Sequence, residues 1–185
     1  MSLTPSNMMP LGTKAPNFKL IDPVSSEMVS LEKIRGKKGT IVMFICNHCP
    51  YVIHVNEEIV RVANDYRIND FGFVAISSND VKNYPEDSPE KMVISALKND
   101  YTFPYLYDET QEVAKAYDAA CTPDFYLFDA ELKLIYRGQL DNSRPGNSIQ
   151  TTGRDLREAL DNVLNNSPQR TDQKPSMGCN IKWKK

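Results

Sequence analysis

The stretch Ile41-Val42-Met43-Phe44-Ile45-Cys46-Asn47-His48-Cys49-Pro50 constrains the fold more than any other part of this chain. From Thr40 to Ile45 the residues are β-branched, aromatic or otherwise apolar, with no internal polar position, the pattern of a central strand buried on both faces. Beyond it, Val52, Val55, Ile59, Val62, Ala63 and Tyr66 recur at three- and four-residue spacing, which predicts a helix. Pro50 fits that helix's first position, where a missing N–H costs nothing. Cys46 and Cys49 therefore stand at a strand-to-helix junction, where a two-residue spacing can close a small disulfide ring. The unpaired N–H groups and positive dipole end of the helix would stabilise a thiolate at Cys46.

The next strand is predicted over Phe71 to Ser77, and strand, helix and strand joined this way imply a right-handed parallel crossover. Ahead of it, Phe18 to Ile21 and Met28 to Leu31 alternate around Asp22-Pro23, a hairpin that would cover a sheet edge. Pro85 to Pro89 is a proline-rich acidic loop, followed by a helix over Lys91 to Leu97 capped by Ser88. A short strand over Pro104 to Tyr107 and a helix over Glu109 to Tyr117 come next. Phe125 to Phe128 and Leu134 to Gly138 pair as an antiparallel hairpin around Asp129-Ala130-Glu131. Thr152 to Leu164 is the last helix. The expected fold class is α/β, a central mixed sheet flanked by helices, with an N-terminal hairpin extension. One domain spans residues 1–165 and a tail spans 166–185. Asn165 to Lys174 is polar and aperiodic, yet Cys179 and the one tryptophan, Trp183, lie just beyond, an arrangement that points to docking of the tail.

With a net charge of −2 and 25% charged residues, the chain has no global field to attract nucleic acid or an anionic membrane surface. The segment from Met1 to Phe18 lacks the basic and apolar regions of a secretory signal, and no run reaches membrane-spanning length, so a cytoplasmic location is expected. Four cysteines in 185 residues are too few for a disulfide scaffold; in a reducing compartment they point to redox or metal work. No glycine-rich phosphate loop occurs, and neither a nucleotide nor a flavin cofactor is expected.

Three motifs together resemble the thioredoxin-like superfamily, and most closely the peroxiredoxin-like proteins grouped with alkyl hydroperoxide reductase and thiol-specific antioxidant. They are Gly12-Thr13-Lys14-Ala15-Pro16-Asn17-Phe18, the CxxC after the first core strand, and Thr122-Pro123 before the Phe125 strand. The resemblance runs from about Gly12 to Leu164 and implies a cis bond before Pro123, with the Thr122-Pro123 turn facing the CxxC. It also implies an antioxidant or disulfide-exchanging oxidoreductase with a redox-active disulfide. Two features depart from the peroxiredoxin pattern. Neither Cys46 nor Cys49 has a threonine three residues before it, and Pro123 stands where the activating arginine would be, leaving Arg137 or Arg144 to supply positive charge. His48, directly before the second cysteine, instead resembles the disulfide isomerases and the periplasmic disulfide-forming proteins. There it would favour the thiolate and raise the reduction potential.

Cys46 is thus the expected exposed attacking thiolate, Cys49 the resolving thiol one turn into the helix, and His48 the tuning residue. Thr122 and Pro123 complete the catalytic set. Cys121 and Cys179 are candidates for a second redox function, Cys179 pairing with Cys121 or Cys46, and Arg144 is a candidate for electrostatic support. His54 reads as a surface or packing residue. The substrates expected are protein or small-molecule disulfides or hydroperoxides, with a reducing partner the sequence does not identify and a homodimer compatible with it. The competing class is a thioredoxin-fold copper or zinc binding protein or metallochaperone, using Cys46, Cys49, His48, His54 and Cys121 as borderline-soft ligands. Against it, the copper-delivering members space the cysteines by three residues and add a histidine after the core hairpin, and this chain does neither.

Overall fold

The computed structural model describes residues 3–185; residues 1 and 2, at the start of the expected domain, lie outside it. At its centre is β4 (Gly39–Phe44), every residue of which is buried. Its alternation explains the lack of a polar position: Ile41 and Met43 enter one core, Val42 and Phe44 the other. Burying such side chains contributes about 1.5–3 kcal/mol each, so both faces of this strand anchor the domain. β5 (Phe71–Ser77) runs parallel to β4, and β6 (Tyr105–Tyr107) parallel to β5. On the other side, β8 (Asp124–Asp129) and β9 (Leu134–Gly138) continue antiparallel. The hairpin of β2 (Lys19–Asp22) and β3 (Glu27–Ser30) adds to β6 and covers that edge, giving the seven-stranded order β3-β2-β6-β5-β4-β8-β9.

Helices α2 (Pro50–Arg67), α3 (Pro89–Lys98) and α5 (Arg154–Leu164) bury Val52, Ile59, Met92, Ala96, Leu156 and Leu160 in the core on one face. The short helices α1 (Leu31–Ile34) and α4 (Glu112–Ala116) bury Leu31 and Ala114 on the other. Pro50 takes the first position of α2, and Ser88 caps α3 by accepting from the N–H of Lys91. Helix α4 is shorter than the expected Glu109 to Tyr117, because Asp108 to Gln111 turn into it, with Gln111 in the left-handed region.

A second sheet was not foreseen. The tail forms β10 (Met177–Asn180), the middle strand between β1 (Leu3–Pro5) and β7 (Cys121–Thr122), antiparallel to both. The segment leading to it is tied down as well. Gln173 accepts from the N–H of Arg137 and donates to the carbonyl of Ile135, and the Ser176 hydroxyl donates to the carbonyl of Gly138. Beyond β10, Ile181 is buried, and the Lys182 carbonyl accepts from the N–H of Asp80 and from Gln111 Nε2. Trp183 rests beside the Lys115 ammonium.

Candidate functional site

β4 ends two residues before Cys46, and α2 begins with Cys49 at its N-cap. The connecting loop is held from three sides. The N–H of Asn47 donates to Asp87 Oδ1 at 2.8 Å, its side-chain amide donates to the carbonyl of Glu86 at 3.0 Å, and its Oδ1 accepts from the Tyr105 hydroxyl at 3.0 Å. All four cysteines are thiols and all are buried. The Thr122–Pro123 bond is cis, as the resemblance implied. It brings Thr122 against both sulfurs of the CxxC, its Oγ1 3.4 Å from Cys46 Sγ and its carbonyl oxygen 3.3 Å from Cys49 Sγ.

Two expectations about the sulfurs are corrected. Cys46 is not exposed, having 2% of its surface accessible against 0% for Cys49, because β10 and the Thr122-Pro123 turn lie over the pair. Cys49 is not one turn into α2 but caps it. Its sulfur accepts from Cys46, then from Cys179 and from the N–H of Val52 in the first turn, and these donors outweigh burial and pull Cys49 down to about 5. Cys46 is held well above the ordinary thiol value, first because it donates to Cys49, then by burial and by the Asp87 carboxylate. In the reduced site, therefore, the surroundings favour ionisation at Cys49 over Cys46.

Asp87 is the residue sequence reading missed. A buried acid in a loop of acids has no periodic signature. It sits with its Oδ2 2.7 Å from His48 Nδ1 and accepts from Asn79 Nδ2 at 2.7 Å. Burial pushes Asp87 up, but the hydrogen bonds from His48 and Asn79 outweigh it and hold the carboxyl below its ordinary value. The same contact raises His48, whose ring stacks on Tyr84 at 5.9 Å. The pairing thus contributes stability that is fully present below the ordinary histidine range and is lost as pH rises through the higher folded value. An Asp87→Asn variant is expected to lower the His48 pKa, read from the ring-proton NMR titration, and to remove this pH dependence. An unchanged His48 titration would refute the assignment.

The other candidates are placed as follows. Cys179 Sγ lies 2.8 Å from Cys49 Sγ, a partner the sequence reading did not name. The register explains this, since Cys179 pairs with Thr122 and Asn180 with Cys121, so that Cys121 points to the opposite face of the small sheet. Burial pushes the Cys121 thiol far up, as in an inert packed cysteine. Arg144 borders a cleft with Tyr51, Pro123 and Met177, but its guanidinium is committed to the carbonyls of Asp141 and Ser143 and to Gln139 Oε1. Arg137 is fully buried and pairs with Asp124, which in turn accepts from Ser6 beside β1. His54 packs against Ser143 at 2.6 Å.

Cys46, His48 and Asp87 each place a ligand-type atom within 4.8 Å of the others, a set that could hold a borderline metal. The 2.7 Å contact already occupies His48 Nδ1 with the Asp87 carboxylate.

Comparison with known proteins gives the family and the fold. The Redoxin family model matches residues 10–156. An uncharacterized conserved protein from Geobacillus kaustophilus is 58% identical, with a TM-score of 0.98 over 100% of this chain and 97% of that one. A hypothetical protein from Sinorhizobium meliloti is 45% identical, with a TM-score of 0.95 over 98% of each chain. The thioredoxin domain of a thiol-disulfide oxidoreductase from Bacteroides vulgatus shares the fold at 17% identity and a TM-score of 0.64, over 83% of this chain and 99% of that one. No curated protein matches. On this evidence the chain belongs to the Redoxin family, built on a thioredoxin-like fold.

Proposed function

We propose that this protein is a thiol–disulfide oxidoreductase whose Cys46 and Cys49 cycle between dithiol and disulfide. The observation that carries this reading is the meeting of both sulfurs with Thr122 at the N-terminus of α2. The proton on Cys46 passes along the S–H···S contact to Cys49, which acts as the internal base. The Cys46 thiolate then attacks one sulfur of the substrate disulfide. Its S–S bond breaks, and the first thiolate leaves, taking the proton that Cys49 had received. Cys49, again a thiolate, attacks Cys46 in the mixed disulfide, forming the Cys46–Cys49 bond and releasing the second substrate thiolate, which takes a proton from water. The substrate gains two electrons and the protein loses two.

The full burial of the pair favours a hydroperoxide as the second substrate class, since a small oxidant needs less opening than a protein disulfide. In that case Cys46 becomes a sulfenic acid with loss of water or alcohol, and Cys49 condenses with it, releasing water.

The test is to mix Cys49→Ser with oxidised glutathione and, separately, with hydrogen peroxide, and to map adducts by mass spectrometry. A stoichiometric mixed disulfide on Cys46, with none in Cys46→Ser, is the expected result. A sulfenic acid that outpaces it selects the peroxidase reading. A mixed disulfide trapped instead on Cys49 in Cys46→Ser refutes the assignment of the nucleophile. The same variant removes the internal base. In Cys49→Ser no group remains beside Cys46 to take its proton, so its iodoacetamide rate at pH 7 is expected to fall on the order of 10-fold or more below that of the wild-type pair. An unchanged rate would remove Cys49 from the base role.

A further inference from the structure

We propose that Cys179 is a third redox thiol of this site, and that the oxidised protein exchanges its Cys46–Cys49 disulfide for a Cys49–Cys179 disulfide. The proposal rests on the dithiol reading above and adds a third partner to it.

Three observations carry it. First, Cys179 Sγ is 2.8 Å from Cys49 Sγ, so a shift of about 0.8 Å reaches disulfide bonding distance, with the sulfurs on facing elements. Second, the contact is built rather than incidental. β10 is paired on both sides, and the Cys179↔Thr122 register places this cysteine opposite the residue that touches both CxxC sulfurs. Third, the strand is anchored on each side of Cys179. Before it, Gly178 packs so closely that a Cβ would lie 1.9 Å from the carbonyl oxygen of Thr122. After it, the N–H of Ile181 donates to the carbonyl of Ala120, and that of Lys182 to Asn79 Oδ1.

The exchange needs no external oxidant or reductant. The Cys179 thiolate attacks Cys49 in the Cys46–Cys49 disulfide, the S–S bond between them breaks as the Cys49–Cys179 bond forms, and Cys46 leaves as a thiolate that takes the proton Cys179 gave up. The oxidation state of the protein is unchanged. What changes is that Cys46 is again a nucleophile, while the oxidising equivalent is held under the strand.

To test this, wild-type protein is oxidised with one equivalent of diamide, quenched with N-ethylmaleimide, digested with trypsin without reduction and mapped. The expected product is the peptide 39–61 joined to the peptide 171–182, with maleimide on Cys46. Cys46→Ser is expected to keep this cross-link, and Cys49→Ser and Cys179→Ser to lose it entirely. Should oxidised wild type show only the loop within peptide 39–61, or should Cys49→Ser retain the cross-link, the proposal is overturned while the dithiol reading stands. Should neither disulfide form, the dithiol reading itself has failed. The wild-type and Cys46→Ser maps decide the matter even where Cys179→Ser does not fold.

Discussion

Serine at position 46 is expected to lower disulfide-exchange turnover on the order of 10³-fold or more, because the hydroxyl that replaces the sulfur is neither ionised by the Cys49 base nor able to form the mixed disulfide. The fold should survive. The substitution is nearly isosteric, and the hydroxyl can keep a hydrogen bond to Thr122 Oγ1, which now lies 3.4 Å from the sulfur. Steady-state reduction of a small disulfide, measured beside a thermal melt, separates loss of chemistry from loss of structure. Turnover within a few-fold of wild type would mean that another sulfur carries the reaction. Cys49 would be the first suspect, since its surroundings pull its thiol down to about 5. Adding Cys46→Ser to Cys49→Ser should cost little further, because residues that act as a unit are not additive.

Alanine at position 178 is expected to have the largest effect outside the sulfurs. Its Cβ would meet the Thr122 carbonyl oxygen at 1.9 Å and Pro123 Cδ at 3.2 Å, and neither a carbonyl in a paired strand nor a proline ring can yield cheaply. Overpacking of this kind costs about 1–3 kcal/mol. In a chain of this size that lowers the melting temperature by roughly 3–10 °C. The local consequence is more telling than the global one. To relieve the clash, β10 must move off β7, which separates Cys179 from Cys49 and uncovers both CxxC sulfurs. Their reaction with a bulky aromatic disulfide is therefore expected to be at least 10-fold faster than in the wild type, while far-UV circular dichroism stays near native. A variant with wild-type melting and wild-type thiol accessibility would show that this strand does not cover the site.

Much of the architecture was legible because it is written in periods. The unbroken apolar run of β4, the three- and four-residue spacing of α2 and the Phe71–Ser77 strand need no tertiary knowledge to be recognised, and Pro50 and Ser88 mark the helix starts directly. The cysteine pair and Thr122-Pro123 were legible as motifs. The closing of the site was not. β10 has only Met177 and Cys179 as sizeable apolar residues and contains a glycine, and it becomes a strand only because β1 and β7 offer it two edges. Asp87 was hidden for a related reason. It belongs to a loop whose composition reads as solvated, and only the arrival of His48, Asn79 and the Asn47 N–H makes burying a carboxylate tolerable. The exposure of Cys46 was misjudged because the residues that cover it lie far along the chain.

The docking of the tail also gives the molecule an optical reporter of its own state. The chain has a single tryptophan, Trp183, four residues beyond Cys179, and it lies beside Lys115 on α4. Indole emission comes from this one position, and its wavelength follows how much water the ring meets. A movement of β10 away from β7 would change the surroundings of this ring. A fluorimeter could then follow the opening of the site in the unlabelled protein, at the speed at which it occurs.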